Sequence, residues 1–256
     1  MSVLRYPGGK TRAIKVLETH LPKNINVLYS PFFGGGSFEL FVNHKYNVKV
    51  YANDKFEPLY NFWKCLKEDK DKLVEEIKKL HPITKTKFTN CKKKLTDKTK
   101  NDYERAACYF AINRSSFSGS TMSGGFSEEA GEKRFTMSSI NKASKMDLSN
   151  IEVSNQDFTD FIPTINDGFI FMDPPYYLGK NSKLYGDKGD LHEGFDHDAL
   201  YNLIKDKKNW ILCYNNCDYI KQLYKDFKIV NVDWKYGMNK TKESSEILIF
   251  NLIKNF

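Results

Sequence analysis

Asp173-Pro174-Pro175-Tyr176 follows directly on the apolar run Phe169-Ile170-Phe171-Met172. Two consecutive prolines lack the backbone donors that a sheet or a helical turn uses, so they stiffen a loop at the carboxyl end of a strand. Open α/β sheets place ligands at that end. Asp173 is held there with its carboxylate presented. The Pro174 carbonyl is a second acceptor that no helical turn consumes, and Tyr176 offers a flat face. Two acceptors beside an aromatic plane suit an exocyclic amino group on a base. The plainer alternative is a proline-stiffened turn with a capping aspartate.

A second chemical segment is Pro31-Phe32-Phe33-Gly34-Gly35-Gly36-Ser37-Phe38-Glu39, also directly after an apolar run. Three glycines remove side chains where backbone must pass close to a ligand and turn into a helix. Asp54 lies 20 residues beyond Gly34 and ends the next run. An acid at that offset is placed either to bind a ribose diol or to cap the helix starting near Pro58. Glu39 stands where a third fingerprint glycine would be, so a nucleoside-type ligand is favoured over a dinucleotide.

The elements that must position these residues are legible as short apolar runs at residues 27–29, 48–51, 151–153, 169–172, 210–213, 229–232 and 247–250. Segments with helical spacing lie between them, such as Leu200, Leu203 and Ile204, or Ile220, Leu223 and Tyr224. Strands alternating with helices predict an α/β fold with a largely parallel sheet. Only residues 235–245 separate the last two runs, which predicts an antiparallel hairpin at or near the sheet's end.

Residues 57–147 break the rhythm. Leu59, Phe62, Trp63, Leu66, Leu73, Ile77 and Leu80 fit helix faces that stop at His81-Pro82. A Lys/Thr-rich stretch with the basic cluster Lys92-Lys93-Lys94 follows, then a helix over residues 103–112. The Gly/Ser-dense run from Asn113 to Ser127 predicts a loop or hairpin. The division is thus a catalytic domain over 1–56 and 148–256, and an inserted helical target-recognition domain over 57–147 with a polar hairpin or loop near 113–135.

The 256 residues carry 40 Lys and Arg against 32 Asp and Glu, a formal charge of +8. Residues 64–105 alone hold a net +6. This suits a polyanionic partner, or equally the solvated surface of a lysine-rich protein. The five cysteines include no CxxC pair, so neither a disulfide framework nor a metal site is expected. The start lacks a signal-peptide core and no stretch is long and apolar enough for a membrane span, which predicts a cytoplasmic or nucleoid-associated protein, or one inside a host cell if viral.

Taken together, these segments resemble the D12 class of DNA N6-adenine methyltransferases, the Dam-like group in its alpha arrangement. Arg5-Tyr6-Pro7-Gly8-Gly9-Lys10 resembles that family's amino-terminal aromatic-x-Gly-Gly-Lys motif, Pro31–Gly36 its cofactor loop, and Asn53-Asp54 its ribose-binding acid. Asn113-Arg114 resembles the start of its recognition hairpin, and Gln156-Asp157-Phe158 the pair holding the cofactor's adenine. Asp173–Tyr176 resembles the catalytic tetrapeptide, and Asn215-Asn216 with Gln222-Leu223-Tyr224 a later segment.

The resemblance implies a Rossmann-like sheet that binds S-adenosyl-L-methionine, with no metal. The enzyme would move the methyl group to N6 of a flipped adenine in a short site on double-stranded DNA. Asp173, Pro174 and Tyr176 are its catalytic candidates. Tyr6, Lys10, Pro31, Phe32, Gly34, Gly36, Ser37, Asp54, Asp157, Phe158 and Asp173 are candidates for the cofactor. Arg5, Lys92, Lys93, Asn113, Arg114 and Ser118 are candidates for DNA, although Arg5 and Arg114 could equally be surface arginines and Asp157-Phe158 a turn beside a core ring. The stretch 117–126 contains neither Arg nor Asn, which speaks against a GATC target, since the Arg–guanine pair is the commonest specific readout. A cognate restriction endonuclease and a monomeric or weakly dimeric state are compatible with the resemblance. Two other readings stand beside it: an RNA adenine methyltransferase, and a nucleic-acid-binding or regulatory protein that keeps the fold without methylating DNA.

Overall fold

The computed structural model describes residues 2–177, 194–233 and 245–252. All seven apolar runs are strands of one sheet: β1 (Val27–Ser30), β2 (Lys49–Asn53), β3 (Ile151–Ser154), β4 (Phe169–Met172), β5 (Trp210–Asn215), β6 (Lys228–Asp233) and β7 (Ser245–Asn251). Their order is β3-β2-β1-β4-β5-β7-β6. The first five are mutually parallel. β7 is antiparallel to both neighbours and slots between β5 and β6, so the expected terminal hairpin is present with its second strand turned inward. Most of the connecting stretch 235–245 lies outside the described residues.

Alternation along the strands feeds two cores. Phe169 and Phe171 of β4 join one buried cluster with Ile211 and Cys213 of β5 and Leu248 and Phe250 of β7. Ile170, Met172, Leu212 and Ile249 join the other. The first cluster is covered by α1 (Ile14–Glu18) and α2 (Ser37–Tyr46), with the Phe38 ring of α2 tilted against Phe171 at a centroid distance of 4.5 Å. Truncating Phe171 to Ala would cost about 3–5 kcal/mol. The second cluster takes α9 (Phe158–Phe161), α10 (His197–Ile204) and α11 (Asp218–Leu223).

Between β2 and β3 run α3 (Glu57–Glu68), α4 (Lys70–Leu80), α5 (Lys85–Thr96), α6 (Asp102–Ser115), α7 (Glu128–Arg134) and α8 (Met137–Ser144). Their buried residues, Phe62, Trp63 and Phe110 among them, belong to the same cluster as Val50 and Phe38. The helices therefore extend the core of one sheet face. The Lys/Thr-rich stretch is a helix, α5. Thr84 caps it by accepting from the Lys87 amide, and Phe88, Cys91 and Leu95 form its buried face. α6 continues past residue 112 to Ser115, so Asn113 and Arg114 sit on a helix end rather than in the loop. The polar loop is confined to residues 116–127 and is closed like a hairpin by the Ser116–Phe126 bridge and by the Phe117 amide on the Gly125 carbonyl at 3.0 Å.

Candidate active site

A cleft of about 350 Å³ opens at the carboxyl ends of β1, β2 and β4. Its volume is that of a small-molecule site. The glycine loop forms one wall. Gly34 and Gly36 have φ of 51° and 62°, a left-handed conformation that glycine adopts without strain. A Cβ on Gly34 would lie 2.9 Å from the Tyr6 ring, so the glycines let Tyr6 lie against the loop. The Trp63 indole of α3 donates to the Gly34 carbonyl at 3.0 Å, which ties the loop to the helical segment.

Asp54 ends its strand beside this loop. One carboxylate oxygen accepts from the Gly34 amide at 2.8 Å and the other from the Phe56 amide at 2.9 Å. Burial pushes its carboxyl up to about 6, against the pull of those two amides. Asp157 caps α9 through the Thr159 amide at 3.0 Å and pairs with Lys55 at 2.6 Å. Next to it Phe158, Phe32 and Phe195 form a triangle of rings with centroids 5.0–5.6 Å apart. Pro31, Gly36 and Ser37 line the same cleft.

Asp173, directly after β4, faces the cleft with 21% of its side chain exposed. Lys10 lies 2.8 Å from its Oδ1 and also donates to the Gly8 carbonyl at 2.8 Å. Burial raises the Asp173 carboxyl to about 6, while Lys10 pulls it down. Two further carboxylates share this corner. Glu39, in the first turn of α2, accepts from the Ser30 hydroxyl at 2.7 Å, and burial raises it to about 7. Glu246 of β7 accepts from the Tyr176 hydroxyl at 2.7 Å and lies 3.8 Å from Lys10. The Lys10 ammonium also stands 5.1 Å from the centre of the Tyr176 ring. The Asn215 side chain donates to the Tyr177 carbonyl at 2.7 Å and holds the loop beyond the prolines.

The expected DNA-facing residues divide by burial. Asn113 is fully buried: it accepts from the Arg5 amide at 2.9 Å and donates to the Arg5 carbonyl at 2.6 Å and to the Thr121 hydroxyl at 3.1 Å. It clasps the amino-terminal segment to the polar loop and is not available to a base. Lys92 is likewise turned inward, onto the Met122 and Gly124 carbonyls at 2.8 and 2.7 Å. Lys93 is exposed. Ser118 lies in the turn Phe117–Gly119 at the start of the loop. The Arg114 side chain donates to the Arg134 and Val3 carbonyls at 2.8 and 3.3 Å. Burial, with the like charges of Arg5 and Arg134, lowers its guanidinium to about 10. Phe117 is 70% exposed on the loop.

Tyr6, Lys10, Asp54, Asp157, Phe158 and Asp173 thus meet in one cleft. Glu39, Arg134, Phe195 and Glu246 were not among the expected residues. Glu39 had a signal, an acid one turn into the helix after the glycines. Glu246 had none, because the sheet order alone brings it there.

Residues 6–238 match the D12 class N6 adenine-specific DNA methyltransferase family. The chain belongs to this family and is an adenine-specific DNA methyltransferase. It is 30% identical to the Type II methyltransferase M.MjaIII of Methanocaldococcus jannaschii, over 97% of this chain and 98% of that one. It is 23% identical to the Type II methyltransferase M.CviBI of Paramecium bursaria Chlorella virus NC1A, over 99% of each. It is 24% identical to the Type II methyltransferase M1.LlaDCHI of Lactococcus lactis subsp. cremoris, over 97% of this chain and 93% of that one. Membership implies DNA as substrate and S-adenosylmethionine as methyl donor. Among the described residues no group of His, Cys, Asp and Glu is arranged to hold a metal ion, and no helix is long and apolar enough to cross a membrane.

Proposed function

We propose that this chain methylates N6 of an adenine extruded from a short duplex site, with Asp173 and the Pro174 carbonyl as the acceptors for the amine. The observation that carries this reading is the Asp173 carboxylate at the cleft floor, buried enough to be perturbed yet open to a ligand. A carboxylate offers about four lone-pair positions, so Lys10 on Oδ1 and the Tyr176 phenol leave acceptor capacity toward the cleft.

The adenine amine is a weak nucleophile because its lone pair is delocalised into the ring. Accepting its two N–H groups on Asp173 and Pro174 localises that lone pair on nitrogen. The carboxylate then stabilises the positive charge that develops there. Tyr176, its hydroxyl held by Glu246, supplies a wall for the ring. A base inside the stack cannot reach this corner, which is why extrusion is required.

The cleft suits S-adenosylmethionine in volume and donor set. When bound, the cofactor supplies an electrophilic methyl group on a sulfonium. Asp54 would hold the ribose hydroxyls, with acceptor capacity left beside its two amide partners. Asp157 would take the purine amine, and Phe158, with Phe32 and Phe195, would enclose the ring. Tyr6 and the loop Pro31–Ser37 would frame the rest. The corner of Asp173, Glu39 and Glu246 holds more carboxyl groups than Lys10 balances, so it favours a cation in the cleft.

DNA would be gripped by the basic segment 64–105 and by the arginines Arg5, Arg114 and Arg134, whose mutual repulsion a phosphate relieves. The loop 116–127 would face the grooves. Its Ser and Thr hydroxyls and exposed Phe117 read less selectively than arginine, in line with a site other than GATC.

A duplex with 2-aminopurine at the target adenine tests the reading. Methylome mapping in cells expressing the chain supplies the target sequence. Fluorescence should rise on adding protein and cofactor analogue, and only at the mapped position. No rise at that position would contradict extrusion.

A further inference from the structure

Glu246 lies far along the chain from the glycine loop and the diproline motif, yet it reaches the catalytic corner. β7 runs antiparallel, so its first residues arrive at the edge where the parallel strands end, and Glu246 sits opposite Asn215 at the end of β5. Alternation does the rest. Leu248 and Phe250 point into the cluster beneath α2, as do Phe171 and Cys213. Two residues on from Phe171 and two back from Leu248, Asp173 and Glu246 continue on that same face. There the Glu246 side chain is 3% exposed. A carboxylate so buried is costly unless it is paired and hydrogen-bonded. Among the described residues its partners are the Tyr176 hydroxyl and Lys10, and Lys10 is also the ion-pair partner of Asp173.

We propose that Glu246 is a positioning residue for methyl transfer: it fixes the Tyr176 ring through the phenol and shares the charge of Lys10, so that Asp173 remains an acceptor for the amine instead of half of a closed ion pair. Among the described residues, the charged and titratable groups facing it are Lys10 from the turn after Gly9, Glu39 from α2, Asp173 and Tyr176 from the loop after β4, and Cys213 from β5. Glu246 repels the ionised form of Asp173, and Lys10 favours it. Neutralising Glu246 removes its repulsion and one competitor for Lys10, so Asp173 takes up its proton at lower pH.

Two variants test this by single-turnover methyl transfer. Glu246→Gln retains an acceptor for the phenol but loses the charge. Its rate–pH profile should show the acid limb moved to lower pH, with KM for DNA unchanged within about twofold. Glu246→Ala also loses the acceptor. Combined with Tyr176→Phe, it should fall short of additivity by about threefold or more, because both changes remove one contact. An acid limb that stays in place, or an additive double variant, overturns the proposal. Should neither variant fold, Glu246→Asp decides: it keeps the charge but draws the carboxylate back from the phenol, so a slower transfer at unchanged KM with the acid limb in place supports the proposal, and an unchanged rate overturns it. The inference rests on Asp173 as the acceptor for the amine. If that were wrong, Asp173→Ala would retain activity whatever stood at 246, so the two failures are distinguishable.

Discussion

The Lys10 ammonium lies 2.8 Å from the Asp173 carboxylate and joins the amino-terminal Gly-Gly-Lys segment directly to the diproline motif. The amino-terminal motif by itself assigns Lys10 only to the cofactor. Its position makes it the cation that keeps the proposed acceptor ionised. Burial raises Asp173 to about 6 even with Lys10 in place. A protonated carboxyl has lost acceptor capacity, so transfer should decline as pH falls through about 6. In Lys10→Gln the carboxyl loses its counter-charge and titrates higher. Activity at neutral pH should drop and recover partly as pH is raised, a shift opposite in sign to that of Glu246→Gln. A rate–pH profile for each variant checks this, and shifts in the same direction would contradict it.

Asp54 already serves the Gly34 and Phe56 amides, so it has a structural role beside the proposed ribose contact. Asp54→Asn should weaken S-adenosylmethionine binding about 10- to 100-fold by losing charge-assisted hydrogen bonds. The transfer rate at saturating cofactor should change far less. Calorimetric titration measures the first and single-turnover kinetics the second. Unchanged affinity would remove Asp54 from the cofactor site.

Adjacent lysines on α5 should behave differently. Lys93 is exposed, and Lys93→Ala should weaken binding to all duplexes alike and reduce the slope of log affinity against log salt by about 1. Lys92 braces the loop through two carbonyls. Lys92→Ala should leave the salt slope nearly intact and lower discrimination between target and non-target duplexes. Salt titrations on both duplexes separate the two roles.

Glu39 carries a pH-dependent cost. Its carboxyl is raised from 4.5 to about 7 by burial, so the folded state binds its proton more tightly than the unfolded chain does. The stability it contributes is present below about pH 4.5 and is lost as pH rises through about 7. At pH 8 the cost is on the order of 3 kcal/mol. Glu39→Gln keeps an acceptor for Ser30 and should melt higher than the unaltered chain at pH 8, with the difference vanishing near pH 4.5. Melting curves of the cofactor-free protein at the two pH values decide it.

The strands and the site motifs were legible because they are local. Apolar runs bounded by Gly, Pro, Ser and Asn mark β1 to β5, apolar runs flanked by charged residues mark β6 and the start of β7, and the glycine loop and diproline corner are contiguous in sequence. What stayed hidden is set by tertiary geometry. α5 is helical despite its Lys and Thr because Phe88, Cys91 and Leu95 find a core. Asn113 and Lys92 look like surface readers and are structural braces, since only the folded loop supplies the carbonyls they hold. Glu246 reads as an ordinary strand-end acid until the inward placement of β7 sets it beside Tyr176.

The claim on which the account turns is that Asp173 acts on the acceptor amine. Single-turnover transfer of tritiated methyl to duplex DNA by Asp173→Ala, with cofactor and DNA affinities measured on the same preparation, tests it most directly. Both affinities should stay within about tenfold of the unaltered chain while transfer slows by about 10³-fold or more. Transfer at a rate near that of the unaltered chain would contradict it.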